Sequence, residues 1–330
     1  MDRRNCAGGA QLADYHIPKP NTMNDRIIAL TGATGFIGSH LLRELTGLGY
    51  RVRVLLRRPT TAMPPGCTHA VIGDLGRPVN MAAALADTDT LIHSAGLAPM
   101  MTGSPDDDFR RLNTAATRSL AEAAQRAGVR RFVYLSSLRA QADVSSRDIL
   151  TEDQQPNPTD AYGRSKLAAE AELSKLDLDW VALRLALVFG RGAKGNMARL
   201  IGLARSPYPL PFGALRAPRS LLSLGNLVAA VETVVASPQP LRCPLIVADP
   251  QPLSVAEMIT AMRAGLGRRP GLLHVPVAVL ETGFRLAGRW ELYRRLAEPL
   301  VGSPDRLVQL GWVPRAATTD ALAEVARFRQ

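Results

Sequence analysis

The chain has 330 residues, 46% of them apolar, which suits one large globular domain or two intimately joined ones. No run of about 18 uncharged apolar residues occurs, which excludes a membrane-spanning helix. The formal charge is +11, but the arginines are scattered and form no arm or stripe, so small anionic ligands or a solvated surface explain it and nucleic acid does not.

Residues 1–25 lack the apolar core of a secretory signal and read as a flexible tail, with Met23 a candidate start. The first element is "IIALT", a short β-branched strand, followed by the turn "GATGFIG". Ile37, Leu41, Leu42 and Leu45 then recur at helical spacing, and "RVRVLL" is a second strand. "HAVIGDL" predicts a strand, "MAAALADT" a short helix, "DTLIHSAG" a strand, and "DFRRLNTAATRSLAEAAQRAG" one long helix. "RRFVYLSS" is the next strand, a helix carrying Tyr162 follows, and "WVALRLALVFG" is read as one further strand. Alternating strands and helices predict an α/β fold: a doubly wound parallel sheet of the Rossmann type over residues 26–190. From 191 to 330 the pattern loosens, and helices are expected at 226–236, 254–266, 276–298 and 318–328. This half reads as a smaller substrate-binding cap, of which one strand or helix can return to the sheet.

Gly32, Gly35 and Gly38 stand in G-x-x-G-x-x-G spacing between strand and helix. The first suits a tight turn, the second lets backbone approach a pyrophosphate, and the third allows close helix–strand packing. The helix start then offers N–H groups and its positive dipole end. The second strand ends in Arg57 and Arg58, where an NAD site usually has a carboxylate. That favours NADP over NAD, with Arg57 on the 2′-phosphate. Asp74, ending the third strand, suits an adenine amino group or a turn cap.

Only four lysines occur, and one, Lys166, lies one helical turn after Tyr162. Residues i and i+4 share a helix face, and an ammonium beside a phenol lowers its pKa from about 10, so that tyrosine can pass protons. Ser137, at the carboxyl end of a strand, can hydrogen-bond the same substrate oxygen.

With "TGATGFIG", "GDL", "HSAG", "LNTAATRSL", "YLSS", "YGRSK" and "LRLALVFG" in this order, the chain resembles an extended short-chain dehydrogenase/reductase of the NAD-dependent epimerase/dehydratase family, over roughly residues 26–315. The resemblance implies catalysis by Ser137, Tyr162 and Lys166. It implies cofactor contacts from Gly32, Thr34, Gly35, Phe36, Ile37, Gly38, Arg57, Asp74, Leu75, Ser94, Ala95 and Asn113, with Tyr162 and Lys166. "FGRGAKGNM", "PLPFGALRAPRSLLSLGNL" and "LGWVP" are similar to UDP-4-keto-6-deoxy-N-acetylhexosamine reductases and UDP-hexose 4-epimerases. That similarity implies a UDP-sugar substrate held by Asn196 and Arg219 with Ser137, in polysaccharide synthesis, and a homodimer. The chain departs from the family at Leu185, Gly225, Ser94 and Gly96, and it lacks the tyrosine–glycine pair common after the serine.

The leading expectation is therefore a 4-keto reductase using NADPH. A 4-epimerase is the alternative, and a non-catalytic dinucleotide-binding protein the third. His93 is expected to pack beside the nicotinamide. The acidic run 106–108 reads as a helix start, and no metal is expected. Segment 275–300 reads as a cap helix before a membrane-surface one. Cys6, Cys67 and Cys243 show no metal spacing and cannot all pair, which points to a reducing cytoplasm.

Overall fold

The computed structural model describes residues 26–59, 63, 64, 66–98 and 106–328. The expected tail, with Cys6 and Met23, lies outside the described residues.

Seven strands form one parallel sheet. In chain order they are β1 (Ile27–Thr31), β2 (Arg51–Leu56), β3 (Cys67–Val71), β4 (Thr88–His93), β5 (Arg131–Ser137), β6 (Asp179–Leu185) and β9 (Cys243–Val247). Their order across the sheet is β3-β2-β1-β4-β5-β6-β9. The order reverses between β1 and β4, the crevice where such sheets bind ligands. β1 is buried along its whole length, as a strand covered on both faces must be.

One face is covered by α1 (Phe36–Gly47) and α7 (Leu224–Ala236). The other carries α2 (Met81–Ala84), α4 (Ala116–Arg126) and α5 (Ala161–Leu173). α7 and β9 come from beyond residue 191, so the second half of the chain is not all cap. Arg131, with 0% exposure, fixes this return. It donates to the carbonyls of Val234, Ser237 and Gln239 and pairs with Asp179, satisfying carbonyls that the end of α7 leaves open.

The cap has its own apolar core, built from α6 (Gly195–Arg205), α8 (Val255–Gly265) and α12 (Thr318–Arg327). α9 (Val277–Leu286), α10 (Trp290–Ala297) and α11 (Asp305–Gln309) complete it. The single helix expected at 276–298 is broken at Gly288, whose φ of +65° is left-handed. α9 buries no residue fully, though Leu280 packs on the cap core. "WVALRLALVFG" is likewise two strands. β6 stays in the sheet, whereas β7 (Leu187–Phe189) leaves it to pair with β8 (Leu221–Ser223). The long helix before β5 is three pieces: α3 (Asp106–Phe109), a π-helical turn (Arg110–Ala115) and α4.

Candidate active site

The glycine turn follows from close backbone packing. Gly32 has φ +72°, and a Cβ on it would come within 2.6 Å of the Ala95 nitrogen after β4. The Gly35 N–H donates to the Gly32 carbonyl at 2.9 Å. A Cβ on Gly38 would meet that carbonyl group, its carbon at 2.6 Å and its oxygen closer still. Gly35 caps α1 without a side chain, and Thr34 is exposed while Phe36 and Ile37 are half-buried. The turn therefore presents backbone, and the first N–H groups of α1, to the crevice. A dinucleotide's phosphates fit this cradle, which any side chain on Gly32 or Gly38 would fill.

Arg57 and Asp74 lie together at one rim, Nη2 to Oδ2 3.7 Å, both exposed. Asp74 also accepts the Gly76 N–H at 2.8 Å, and Leu75 is half-buried. A cavity of about 310 Å³ here is lined by Asp74, Gly76, Arg77 and Arg111. Sequence reasoning named neither Arg77 nor Arg111.

His93 is fully buried. Thr117 gives its proton to the Asn113 carbonyl at 2.7 Å, so it must accept from His93 Nε2 at 3.0 Å. Nδ1 then accepts from Thr31 at 2.7 Å. Burial, and next the charge of Lys166, hold the ring neutral with a pKa of about 3. His93 is a strut between β1 and α4, stacked on Tyr134.

Asn113 is held from within the protein. Both of its amide protons are taken, by the Leu97 carbonyl at 3.2 Å and Ser165 Oγ at 3.0 Å. Its Oδ1 accepts the Leu97 N–H at 2.8 Å. It ties the loop after Ser94 and Ala95 to α5 from within the π-helical turn. Ser165 passes the tie on to the Tyr162 carbonyl at 2.8 Å.

Ser137 and Tyr162 lie near one another: β5 ends at one, α5 begins beside the other, and Ser137 is close enough to favour the ionised Tyr162 phenol. Lys166 reaches inward between Tyr162 and the sheet. Its Nζ donates to the Leu135 carbonyl at 2.9 Å and stands 4.6 Å from the centre of the Tyr134 ring, against 5.9 Å for Tyr162. Burial depresses the ammonium to about 8. Burial also raises the Tyr162 phenol, opposed by the Ser137 hydrogen bond and by the charge of Arg139, a residue that sequence reasoning passed over.

In the cap, Arg219 donates to the carbonyls of Glu298 at 2.6 Å and Val144 at 3.1 Å. Burial lowers it to about 10, helped by Arg139 and Arg295. Nε of both Arg139 and Arg295 is buried without a partner. Among the described residues neither Arg219 nor Arg295 has a salt bridge to a carboxylate. The positive charge that Arg295 adds at Arg219 is costly unless an anion offsets it. Nothing in the local sequence singles out Arg295. Asn196 is exposed on the first turn of α6. The larger cavity, about 760 Å³, lies elsewhere, between α8, α12 and residues 270–274, and none of the predicted site residues lines it. Among the described residues no cluster of three ligating side chains exists.

Fold and turn define a dinucleotide-binding Rossmann scaffold, and the relatives that follow mark the chain as an NAD-dependent enzyme. A profile of the NAD dependent epimerase/dehydratase family matches residues 28–246, and the chain belongs to that family. It is 31% identical over 312 residues to a UDP-glucose 4-epimerase of Vibrio cholerae, covering 91% of this chain and 94% of that one. It is 27% identical over 294 residues to a ceramide reductase of Caulobacter vibrioides, covering 88% and 87%. Among solved structures, MoeE5 in complex with UDP-glucose and NAD is 28% identical, with a TM-score of 0.68 over 91% of this chain and 97% of that one. No described helix is long and apolar enough to cross a membrane.

Proposed function

We propose that the chain is a UDP-sugar 4-epimerase. One observation carries the reading: Ser137 at the end of β5 and Tyr162 at the start of α5 share the carboxyl side of the parallel sheet with the glycine turn after β1, while Arg219 lies buried in the cap on backbone carbonyls, so a group stands ready for each end of a nucleotide sugar. The similarity to the Vibrio cholerae epimerase, and to a structure holding UDP-glucose and NAD, supports it.

NAD, when bound at the turn, supplies a hydride acceptor and donor. Tyr162 takes the proton of the sugar 4-hydroxyl as that carbon is oxidised, and returns it after the sugar has turned over. Ser137 hydrogen-bonds the same oxygen. Lys166 has two of its three donors left for ribose hydroxyls. Arg219 and Arg295 offer forked donors to the diphosphate. The family reading also carries a cytoplasmic homodimer, which sedimentation tests.

Purified protein incubated with UDP-glucose, without added cofactor, should form UDP-galactose. One feature favours the second reading, an NADPH-dependent 4-keto reductase: Arg57 directly follows β2, where a carboxylate would select NAD. Stoichiometric NADPH consumption with a UDP-4-keto-6-deoxy sugar, and no UDP-hexose interconversion, would establish that reading instead.

A further inference from the structure

Arg139 lies on the short 3-10 turn (Leu138–Ala140) that follows β5. Its N–H donates to Ser137 Oγ at 3.2 Å. Its guanidinium reaches across to Asp160, Nη2 to Oδ2 2.6 Å, and to Asp143 at 3.5 Å. Asp160 is the N-cap of α5, and its other oxygen accepts the Gly163 N–H at 3.1 Å. Gly163 follows Tyr162 directly. A Cβ on it would stand 2.9 Å from Pro158 Cβ and closer still to the Arg139 carbonyl, so helix and turn touch backbone to backbone.

We propose that Arg139 is a positioning residue for proton transfer: through Asp160 it clamps the first turn of α5 onto the turn after Ser137, and so holds the Tyr162 hydroxyl on that serine. The proposal rests on the reading of Ser137 and Tyr162 as the proton-transfer pair. The arginine also brings charge. Of the groups facing Tyr162, the turn contributes Arg139, the cap Asp160 and β5 Ser137 and Tyr134, while α3 contributes only the uncharged Phe109 ring. Lys166, on the same helix, is drawn toward Leu135 and Tyr134. Arg139 favours the Tyr162 phenolate and Asp160 opposes it, with the Lys166 ammonium 5.9 Å from the Tyr162 ring.

The test compares the wild type with R139Q, R139K, D160N and Y162F. Near-ultraviolet phenolate absorbance is titrated with pH, and the Tyr162 component is the difference from Y162F. R139Q should move that component up by on the order of one pH unit. R139K should keep part of the effect, whereas D160N should not raise it. In both R139Q and D160N, kcat should fall about tenfold or more with little change in KM, since the clamp is lost. A structural role alone would not shift the titration in opposite senses for the two partners. If Y162F is inactive but R139Q titrates and turns over like the wild type, the proposal is overturned. If Y162F keeps full turnover, the pair is not catalytic and the proposal falls with it. Should R139Q not fold, D160N decides: a wild-type kcat with the Arg139–Asp160 pair removed overturns the proposal.

Discussion

Replacing Gly38 by alanine perturbs the phosphate turn through its backbone. The added Cβ would lie 2.6 Å from the Gly32 carbonyl carbon, closer to its oxygen, and 3.0 Å from Ala33 Cα. All three are main-chain atoms, so no side chain can swing aside. To restore van der Waals contact, α1 must move away from the end of β1 by on the order of an ångström. Overpacking costs about 1–3 kcal/mol where neighbours adjust, and ~3 kcal/mol is expected where they cannot. An unfolding entropy of ~2.1 cal/mol/K per residue gives ~0.7 kcal/mol/K for this length, so Tm should fall by ~4 °C. The same shift draws the α1 N–H groups off the phosphates. Losing ~1.4 kcal/mol there weakens dinucleotide binding about tenfold. Gly47, the last residue of the same helix, is the control. A Cβ there meets nothing within 4 Å, so G47A should stabilise by about 0.5–1 kcal/mol. Circular-dichroism melts and NADH fluorescence titrations measure both quantities. A G38A protein with wild-type Tm and wild-type NADH affinity would refute the close-packing account of the turn.

Y162F should lose about 10²–10⁴-fold in kcat while binding NADH normally, measured by turnover and by fluorescence. R219A and R295A should each weaken UDP binding by about 10–100-fold in calorimetric titrations and leave NADH affinity alone; unchanged UDP affinity in both removes the diphosphate role. Burial depresses the Lys166 ammonium from 10.5 to about 8, so the cost of burying its charge is present below about 8 and is relieved as pH rises toward 10.5. Urea unfolding should show the wild type gaining stability over that window relative to K166M, and parallel curves would contradict this. The Asn226 side chain, with 0% exposure, accepts from the Arg315 and Ala316 N–H groups and donates to Asp249 and the Ala316 carbonyl. N226A strands these buried partners and should cost ~3 kcal/mol or more in the same assay.

The parallel sheet was legible because each of its first strands is a short apolar run bounded by turns, and each intervening helix has its own period. The glycine spacing and the Tyr162–Lys166 interval were legible for the same reason: both are local. What was not legible depends on partners far along the chain. Nothing in "WVALRLALVFG" marks Ala186 as the point where β7 leaves for β8, since apolar character continues through it. Gly288 could have warned that 276–298 would break. Helical spacing put Lys166 on the Tyr162 face, and its Nζ stands 5.9 Å from that ring. Spacing places a side chain on a face but does not say which carbonyl holds it, and here Leu135 does. The resemblance marked Asn113 as a cofactor contact but said nothing of its amide bonds to Leu97 and Ser165, which only the fold shows. Arg295 escaped notice because only folding brings it to Arg219.

The way β9 closes the sheet has a consequence for synthesis. β6 cannot find its outer neighbour until residue 247 has left the ribosome, some sixty residues after β6 itself. During that interval an apolar strand such as Val181–Leu185 presents an open edge, the kind of surface on which unfinished chains join one another. A chain halted between these points would be a candidate for chaperone capture, whereas one that has passed residue 247 would not.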